Sequence, residues 1–337
     1  MPLDTKSCLV TGAAGFIGSH TSRRLIDLGY RVTGFDNLNS YYDVNLKKDR
    51  LRSIEHPAFT FIAGDISDER VLSRVFDENG IRAVVHLAAQ GGVRHSMDNP
   101  AEFVQSNLVG FANVLECCRR HAIEHLVFAS SSSVYGANAR MPFRETDPVD
   151  HPVSFYAATK KSNEILAHSY SDLYDLAVTG LRFFTVYGPW GRPDMAPMLF
   201  AEAITHGRPL KVFNEGRMQR DFTFIDDIVD GLVRTLESPP KPNPKWESFS
   251  PTPESSRAPY RIYNIGNGRP VELLRFIELL EACLGKKAEK ILMPLQPGDV
   301  LATYASTSAL EQAVGFRAKV SIEEGVSRFA SWYRSYF

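Results

Sequence analysis

The chain has 337 residues, 44% of them hydrophobic, and 38 lysines and arginines set against 39 aspartates and glutamates give a formal net charge of −1. That balance offers no electrostatic reason to expect nucleic acid or an anionic membrane as partner, so any anion must be bound locally. No apolar run approaches the roughly 20 residues that cross a bilayer, and no charged stretch followed by an apolar one opens the chain, so neither a membrane span nor a secretory leader is expected. The length exceeds that at which a single core stops growing, which predicts two lobes. Cys8, Cys117, Cys118 and Cys283 are scattered without metal-ligand spacing. They read as reduced thiols of a cytoplasmic protein with no metal site.

In chain order, Cys8 to Val10 reads as a short buried strand, Phe16 to Leu28 as an amphipathic helix and Arg31 to Phe35 as a second strand. Further strands are expected at Phe59 to Ala63, Ala83 to Leu87, Leu126 to Ala129 and Ala177 to Phe184. Long helical patterns at Pro100 to His121 and Ser154 to Leu173 flank the fifth strand. Strands alternating with helices predict an α/β fold: a Rossmann-type, doubly wound parallel sheet covered on both faces. Beyond about Thr185 the rhythm breaks into proline and glycine turns, with a short hairpin expected near Lys211 to Phe224 and helices at Val271 to Leu284 and Ile322 to Tyr336. Residues 1–184 are therefore read as the dinucleotide-binding domain and 185–337 as a smaller α/β substrate lobe, with some segments returning to the first. Six prolines between Ser238 and Pro259 suggest an exposed, poorly ordered loop (238–259).

The first turn carries Gly12, Gly15 and Gly18 directly after a strand and at the start of a helix. Glycines there permit a tight turn, close approach of a pyrophosphate and close helix packing, while the helix N-terminus supplies partial positive charge. Asp36 ends the second strand, where a carboxylate accepts both ribose hydroxyls and repels a 2′-phosphate, which favours NAD over NADP. Asn37 follows it in place of a basic residue. Phe16, Ile17, Asp65, Ile66, Leu87, Ala88 and Ala89 complete the expected cofactor wall.

Downstream lies Tyr156-Ala-Ala-Thr-Lys160. Tyrosine and lysine four apart share one helix face, so the ammonium reaches the phenol's neighbourhood. A free phenol titrates near 10, and a nearby lysine cation with a cationic nicotinamide is expected to favour the phenolate, making Tyr156 a base near neutral pH. Lys160 is also placed to hold the nicotinamide ribose. Ser130 to Ser133 end the fifth strand, where side chains face the ligand crevice of a parallel sheet, although such a run also caps turns.

These residues resemble the extended short-chain dehydrogenase/reductase superfamily across essentially the whole chain, and within it the UDP-glucuronate 4-epimerase family. The likeness is carried by Asp36-Asn-Leu-Asn-Ser-Tyr-Tyr-Asp43, Gly92-Val-Arg-His-Ser96, Ser106-Asn-Leu-Val-Gly110, Phe184-Thr-Val-Tyr-Gly-Pro-Trp-Gly-Arg192, Arg220-Asp-Phe-Thr-Phe-Ile-Asp-Asp227 and Gln296-Pro-Gly-Asp-Val300. The resemblance implies that Ser131 is the hydroxyl beside the tyrosine, and that Ser132, Ser133, Thr185 and Arg192 meet the sugar carboxylate. It further implies that Arg220 meets the UDP diphosphate, that Phe213 stacks on uracil, that Asp299 meets the uridine portion and that Asn107 lies at the nicotinamide end, where helix packing is an equal reading. The implied reaction is reversible C4 inversion of UDP-glucuronate to UDP-galacturonate through a 4-keto intermediate, in a homodimer paired through the two long helices.

Rival readings stay open. A UDP-glucuronate decarboxylase resembles a pattern with glutamate where Ser133 stands, and a 4,6-dehydratase needs an acidic pair that Ser132-Ser133 does not provide. A UDP-N-acetylhexosamine or UDP-glucose 4-epimerase would leave Arg192 without a partner. A non-catalytic NAD-sensing scaffold has no need of Ser131, Tyr156 and Lys160.

Overall fold

A computed structural model describes residues 6–294 and 302–337 of the chain. Six strands alternate with helices as the sequence predicts: β1 (Ser7–Thr11), β2 (Arg31–Asp36), β3 (Phe59–Ala63), β4 (Ala83–His86), β5 (His125–Ser131) and β6 (Val178–Phe183). Three short strands follow, β7 (Thr185–Tyr187), β8 (Leu210–Val212) and β9 (Gln219–Phe224), before β10 (Tyr260–Ile265) returns to pair with β6. The resulting seven-stranded sheet has the order β10-β6-β5-β4-β1-β2-β3, with every pair parallel. The strand order reverses between β1 and β4, which opens a crevice at their carboxyl ends.

Alternation along each strand divides the apolar residues between two faces. Cys8 and Val10 join one core, whereas Leu9 between them joins the other. Helices Phe16–Asp27 and Ile225–Leu236 cover the first face, and Glu69–Asn79, Gly110–Arg120 and Phe155–Tyr174 cover the second. The first core continues without a break through Phe222, Phe276 and Phe329, so the residues beyond Thr185 are fused to the sheet.

In that smaller part β9 is central. It pairs with β7 and with β13 (Ala302–Thr303) in parallel and with β11 (Pro270–Glu272) in antiparallel fashion. β8 pairs with β12 (Lys290–Leu292). The expected hairpin near Lys211 to Phe224 does not form. Asn214 and Glu215 take left-handed conformations (φ 49° and 53°), and the Glu215 amide donates to Met293 O (3.0 Å), so β8 and β9 are turned toward separate partners. The proline-rich stretch 238–259 is also more tightly tied than its composition suggests. Asn243 N bonds Ser256 O (3.0 Å), Ile262 N bonds Glu254 O (2.9 Å), and Arg257 grips Asp172 of the long helix at 2.9 and 3.0 Å. Phe249 alone projects fully into solvent among its apolar residues.

Cys8, Cys117 and Cys118 are buried, Cys283 is half-buried, and all are free thiols. Among the described residues no helix is long and apolar enough to cross a membrane, and no cluster suited to a metal is present.

Two buried histidines brace the sheet. His86 Nδ1 shares a 2.8 Å hydrogen bond with Thr11 Oγ1, and burial, with the Lys160 charge, pushes its pKa down to about 3. His125 Nδ1 donates to Leu236 O (3.0 Å), Nε2 meets Thr179 Oγ1 (2.9 Å), and burial lowers it to about 4. Unfolding lets both return to about 6.5 and take up protons. Their contribution to stability is therefore complete above pH 6.5 and is lost as pH falls toward 4, at about 1.4 kcal/mol per histidine per pH unit. Urea midpoints measured between pH 7.5 and 4.5 should fall steadily, and His125→Gln should flatten that slope.

Candidate active site

A cavity of about 390 Å³ occupies the crevice, with the glycine turn at one end and Ser131, Ser132, Ser133, Tyr156, Thr185 and Arg192 at the other. At the first end, Gly12 has φ +72° and packs so closely on β4's continuation that a Cβ would stand 2.7 Å from Ala88 N and 2.8 Å from Leu87 C. A Cβ on Gly15 or Gly18 would press into the Gly12 carbonyl. No side chain caps helix Phe16–Asp27, whose first amides are left for an anion. Asp36 Oδ2 accepts from Ala14 N (3.1 Å) and Oδ1 from Leu38 N (2.8 Å), while burial raises its pKa. Asn37 Nδ2 bonds Asp65 Oδ2 (2.7 Å); burial pushes the Asp65 carboxyl up, but this amide and Ser67 hold it below the usual range. Phe16, Ile17, Ile66, Leu87, Ala88 and Ala89 line the same wall. A glycine cradle that no side chain could share, beside a carboxylate on the strand edge, fits a dinucleotide with an unmodified ribose.

At the second end, Ser154 Oγ accepts from Ala157 N (3.1 Å) and starts helix Phe155–Tyr174 immediately before Tyr156. The Tyr156 amide donates to Ser96 Oγ (3.1 Å), which fixes the first turn. Burial pushes the Tyr156 phenol up, countered by the neighbouring Ser131 hydroxyl and by the Arg192 charge. Lys160 was expected to be the depressing cation. Its ammonium instead donates to Ala129 O (2.9 Å), and burial lowers its own pKa to about 8. In the chain by itself, serine and arginine therefore oppose the desolvation of the phenol.

The serine run divides its work. Ser130 lines the cavity but commits its hydroxyl to Glu164 Oε1 (2.6 Å), part of a buried pair with Arg182 (2.9 Å). Ser131 Oγ accepts from Ser133 N (3.1 Å), and Ser132 and Ser133 open a short 3-10 turn over the cavity. Arg192 lies against Gly91, where a Cβ would collide with its Nη1. Its Nε and Nη2 hold Asp194 at 3.0 and 2.6 Å, and the Tyr41 hydroxyl donates to the same carboxylate (3.2 Å).

Several expected residues stand elsewhere. Asn107 sits in a π-helical turn (Val104–Val109) behind the wall. Its amide is spent on Gln90 N (2.8 Å), Gln90 O (3.0 Å) and Thr159 Oγ1 (3.0 Å), which is a packing role. Phe213 lies under the Arg94 guanidinium (5.5 Å) and Arg220 Nη1 donates to Gln219 O (2.9 Å), neither on the cavity wall. Asp299 falls outside the described residues. Asn39, Tyr41, Tyr42, Lys47, Gln90 and Gly91 also line the cavity, beyond the residues expected there. Asn39, Tyr41 and Tyr42 belong to the Asp36–Asp43 segment that carries the family resemblance, and Lys47 follows it on helix Val44–Arg52.

The family described as NAD dependent epimerase/dehydratase matches residues 8–266. Protein CapI of Staphylococcus aureus is 52% identical over 98% of both chains. A probable UDP-glucuronate 4-epimerase of Rhizobium meliloti is 48% identical over 96% of each. Among solved structures, UDP-glucuronic acid 4-epimerase from Bacillus cereus, in complex with UDP-glucuronic acid and NAD, superimposes with a TM-score of 0.86 at 32% identity, covering 98% of this chain and 100% of that one. With its glycine cradle, its serine, tyrosine and lysine and its continuous similarity to these proteins, the chain belongs to the NAD dependent epimerase/dehydratase family.

Proposed function

We infer that the chain is an NAD-dependent UDP-glucuronate 4-epimerase, interconverting UDP-glucuronate and UDP-galacturonate. One observation carries the reading: a proton-transfer tyrosine, a hydroxyl and a guanidinium converge on one end of a cavity whose other end is a dinucleotide cradle. NAD, when bound, supplies a reversible hydride acceptor for C4 of the sugar. Tyr156 as phenolate takes the 4-hydroxyl proton, with Ser131 relaying or stabilising it, and Lys160 holds the nicotinamide ribose. With that proton removed and the C4 hydride passed to NAD when it is bound, the sugar would become a 4-keto species; turning about its phosphate linkage while UDP stays anchored, it would present its other face for the hydride's return.

We place the carboxylate between Ser132, Ser133, Thr185 and Arg192, because a guanidinium donates two parallel hydrogen bonds to a planar carboxylate. The 4-keto intermediate is a β-keto acid. It loses carbon dioxide most easily when the carboxylate bond stands perpendicular to the ketone plane, so a grip that holds another angle protects it. Phe213, Arg220 and Asp299 are assigned to the UDP portion, and residues 185–337 to the sugar-nucleotide lobe, on the strength of the family motifs. A homodimer is supported by Val104, Val109, Ile165, Leu173 and Tyr174, exposed on the two long helical segments. A cytoplasmic location is consistent with the four free thiols.

Incubation with UDP-glucuronate should yield a product of equal mass and altered retention; loss of carbon dioxide or no change would refute the assignment. Tyr156→Phe should lower kcat by roughly 10²–10⁴-fold with little effect on substrate affinity. Ser131→Ala removes a hydroxyl that stabilises the phenolate, so the rising limb of kcat against pH should move to higher pH. Arg192→Ala should raise KM for UDP-glucuronate and release UDP-4-keto-pentose, and an unchanged KM and product ratio would dispose of the carboxylate grip.

A further inference from the structure

Helix Val44–Arg52 sends Lys47 to the cavity wall, and its Arg50 reaches both the glycine turn and the residues just before Arg192. The Arg50 side chain is fully buried. Its five N–H groups make five hydrogen bonds: Nη1 to the Ala14 carbonyl (3.1 Å) and the Tyr42 hydroxyl (2.7 Å), Nε to the Trp190 carbonyl (3.1 Å), and Nη2 to the carbonyls of Trp190 (2.8 Å) and Gly191 (3.2 Å). All four acceptors, the Trp190 carbonyl serving twice, are neutral. A buried cation with no carboxylate on it is expensive, and an apolar side chain of similar volume would fill the space at lower cost. Packing therefore does not account for a guanidinium here.

Its partners do. Ala14 lies inside the glycine turn, between Gly12 and Gly15, and its N–H is held by Asp36 (3.1 Å). Trp190 and Gly191 immediately precede Arg192. Trp190 has φ +64°, a left-handed conformation that costs a bulky residue free energy and persists only when its surroundings impose it. Two restraints do so: the paired hydrogen bonds from Arg50 to its carbonyl, and packing of its ring against Trp332 (5.4 Å) and Tyr336 (4.9 Å) of helix Ile322–Tyr336. The chain direction entering Arg192 is thus set by a side chain whose other hand holds the dinucleotide loop.

We propose that Arg50 is a positioning residue that ties the strained Trp190 turn to the glycine loop, so that Arg192 meets the substrate carboxylate from a set place relative to the cofactor site. This rests on the reading of Arg192 as the carboxylate contact. Lysine keeps the charge but is a point donor without the planar fork, so Arg50→Lys isolates the geometry from the electrostatics.

The test uses NAD-loaded protein carrying Tyr156→Phe, so that no turnover disturbs the titration, and measures Kd by calorimetry for UDP-glucuronate and for UDP. Adding Arg50→Lys should weaken UDP-glucuronate at least tenfold more than UDP, and in an Arg192→Ala background the same change should alter that ratio less than twofold. Equal weakening of both ligands, or an undiminished effect without Arg192, would overturn the proposal. If Arg192→Ala by itself leaves the ratio unchanged, the carboxylate contact has failed and this inference falls with it. Should Arg50→Lys not yield folded, NAD-loaded protein, Tyr42→Phe decides: removing one acceptor should shift the ratio two- to threefold, and no shift counts against the proposal.

Discussion

The closeness of the Gly12 turn to the backbone of Leu87 and Ala88 is the constraint on which the site is built. With barely 2.7 Å available to a Cβ, the turn after β1 and the loop after β4 form one continuous floor. That floor lies at the reversal of strand order, where the carboxyl ends of β1 and β4 part to either side. Everything placed above it inherits the spacing: helix Phe16–Asp27 aims its free amides inward, and the end of β5 brings Ser131 to the far side of the same crevice. A single methyl group at Gly12 would separate these elements.

Electrostatics at the far side follow from the partial desolvation of its titratable groups. Burial drives the Tyr156 phenol and the Lys160 ammonium in opposite directions, both toward their neutral forms. Such a pair has little inherent bias toward phenolate, so the decision passes to what surrounds it. The chain contributes the Ser131 hydroxyl and the Arg192 charge, and an oxidised nicotinamide, when bound, would add positive charge beside them. This makes base strength conditional on a loaded site, which suits an enzyme whose cofactor must be oxidised before a proton is useful to remove. Asp194 restrains the Arg192 side chain directly, and Arg50 holds the two carbonyls that precede it.

Much of this was legible from the chain. Strand and helix positions through β6 followed from periodicity, because both faces of a parallel sheet are buried and the apolar runs are dense. The expected hairpin failed since pairing in the smaller part joins segments far apart, β8 to β12 and β9 to β11 and β13, and short strands carry no local record of distant partners. The proline-rich stretch was read as loose because composition registers the cost of ordering it and not the anchoring bonds at Asn243, Glu254 and Arg257. Asn107 was placed by motif, and only its amide's exhaustion on Gln90 and Thr159 reveals a packing role.

Local spacing along the chain supplies the chemistry on offer: a glycine turn that suits a pyrophosphate, an acid at the ribose edge, and a tyrosine and lysine one helical turn apart. It suffices for these because each depends on residues within a few positions of one another. Tertiary structure alone decided who modulates whom: that Lys160 turns to Ala129, that Ser131 and Arg192 act on the phenol, and that Arg50 joins Ala14 to Trp190. Those relations join residues far apart along the chain, and they arise only when burial strips away water and leaves each donor to find the acceptor that folding has brought to it.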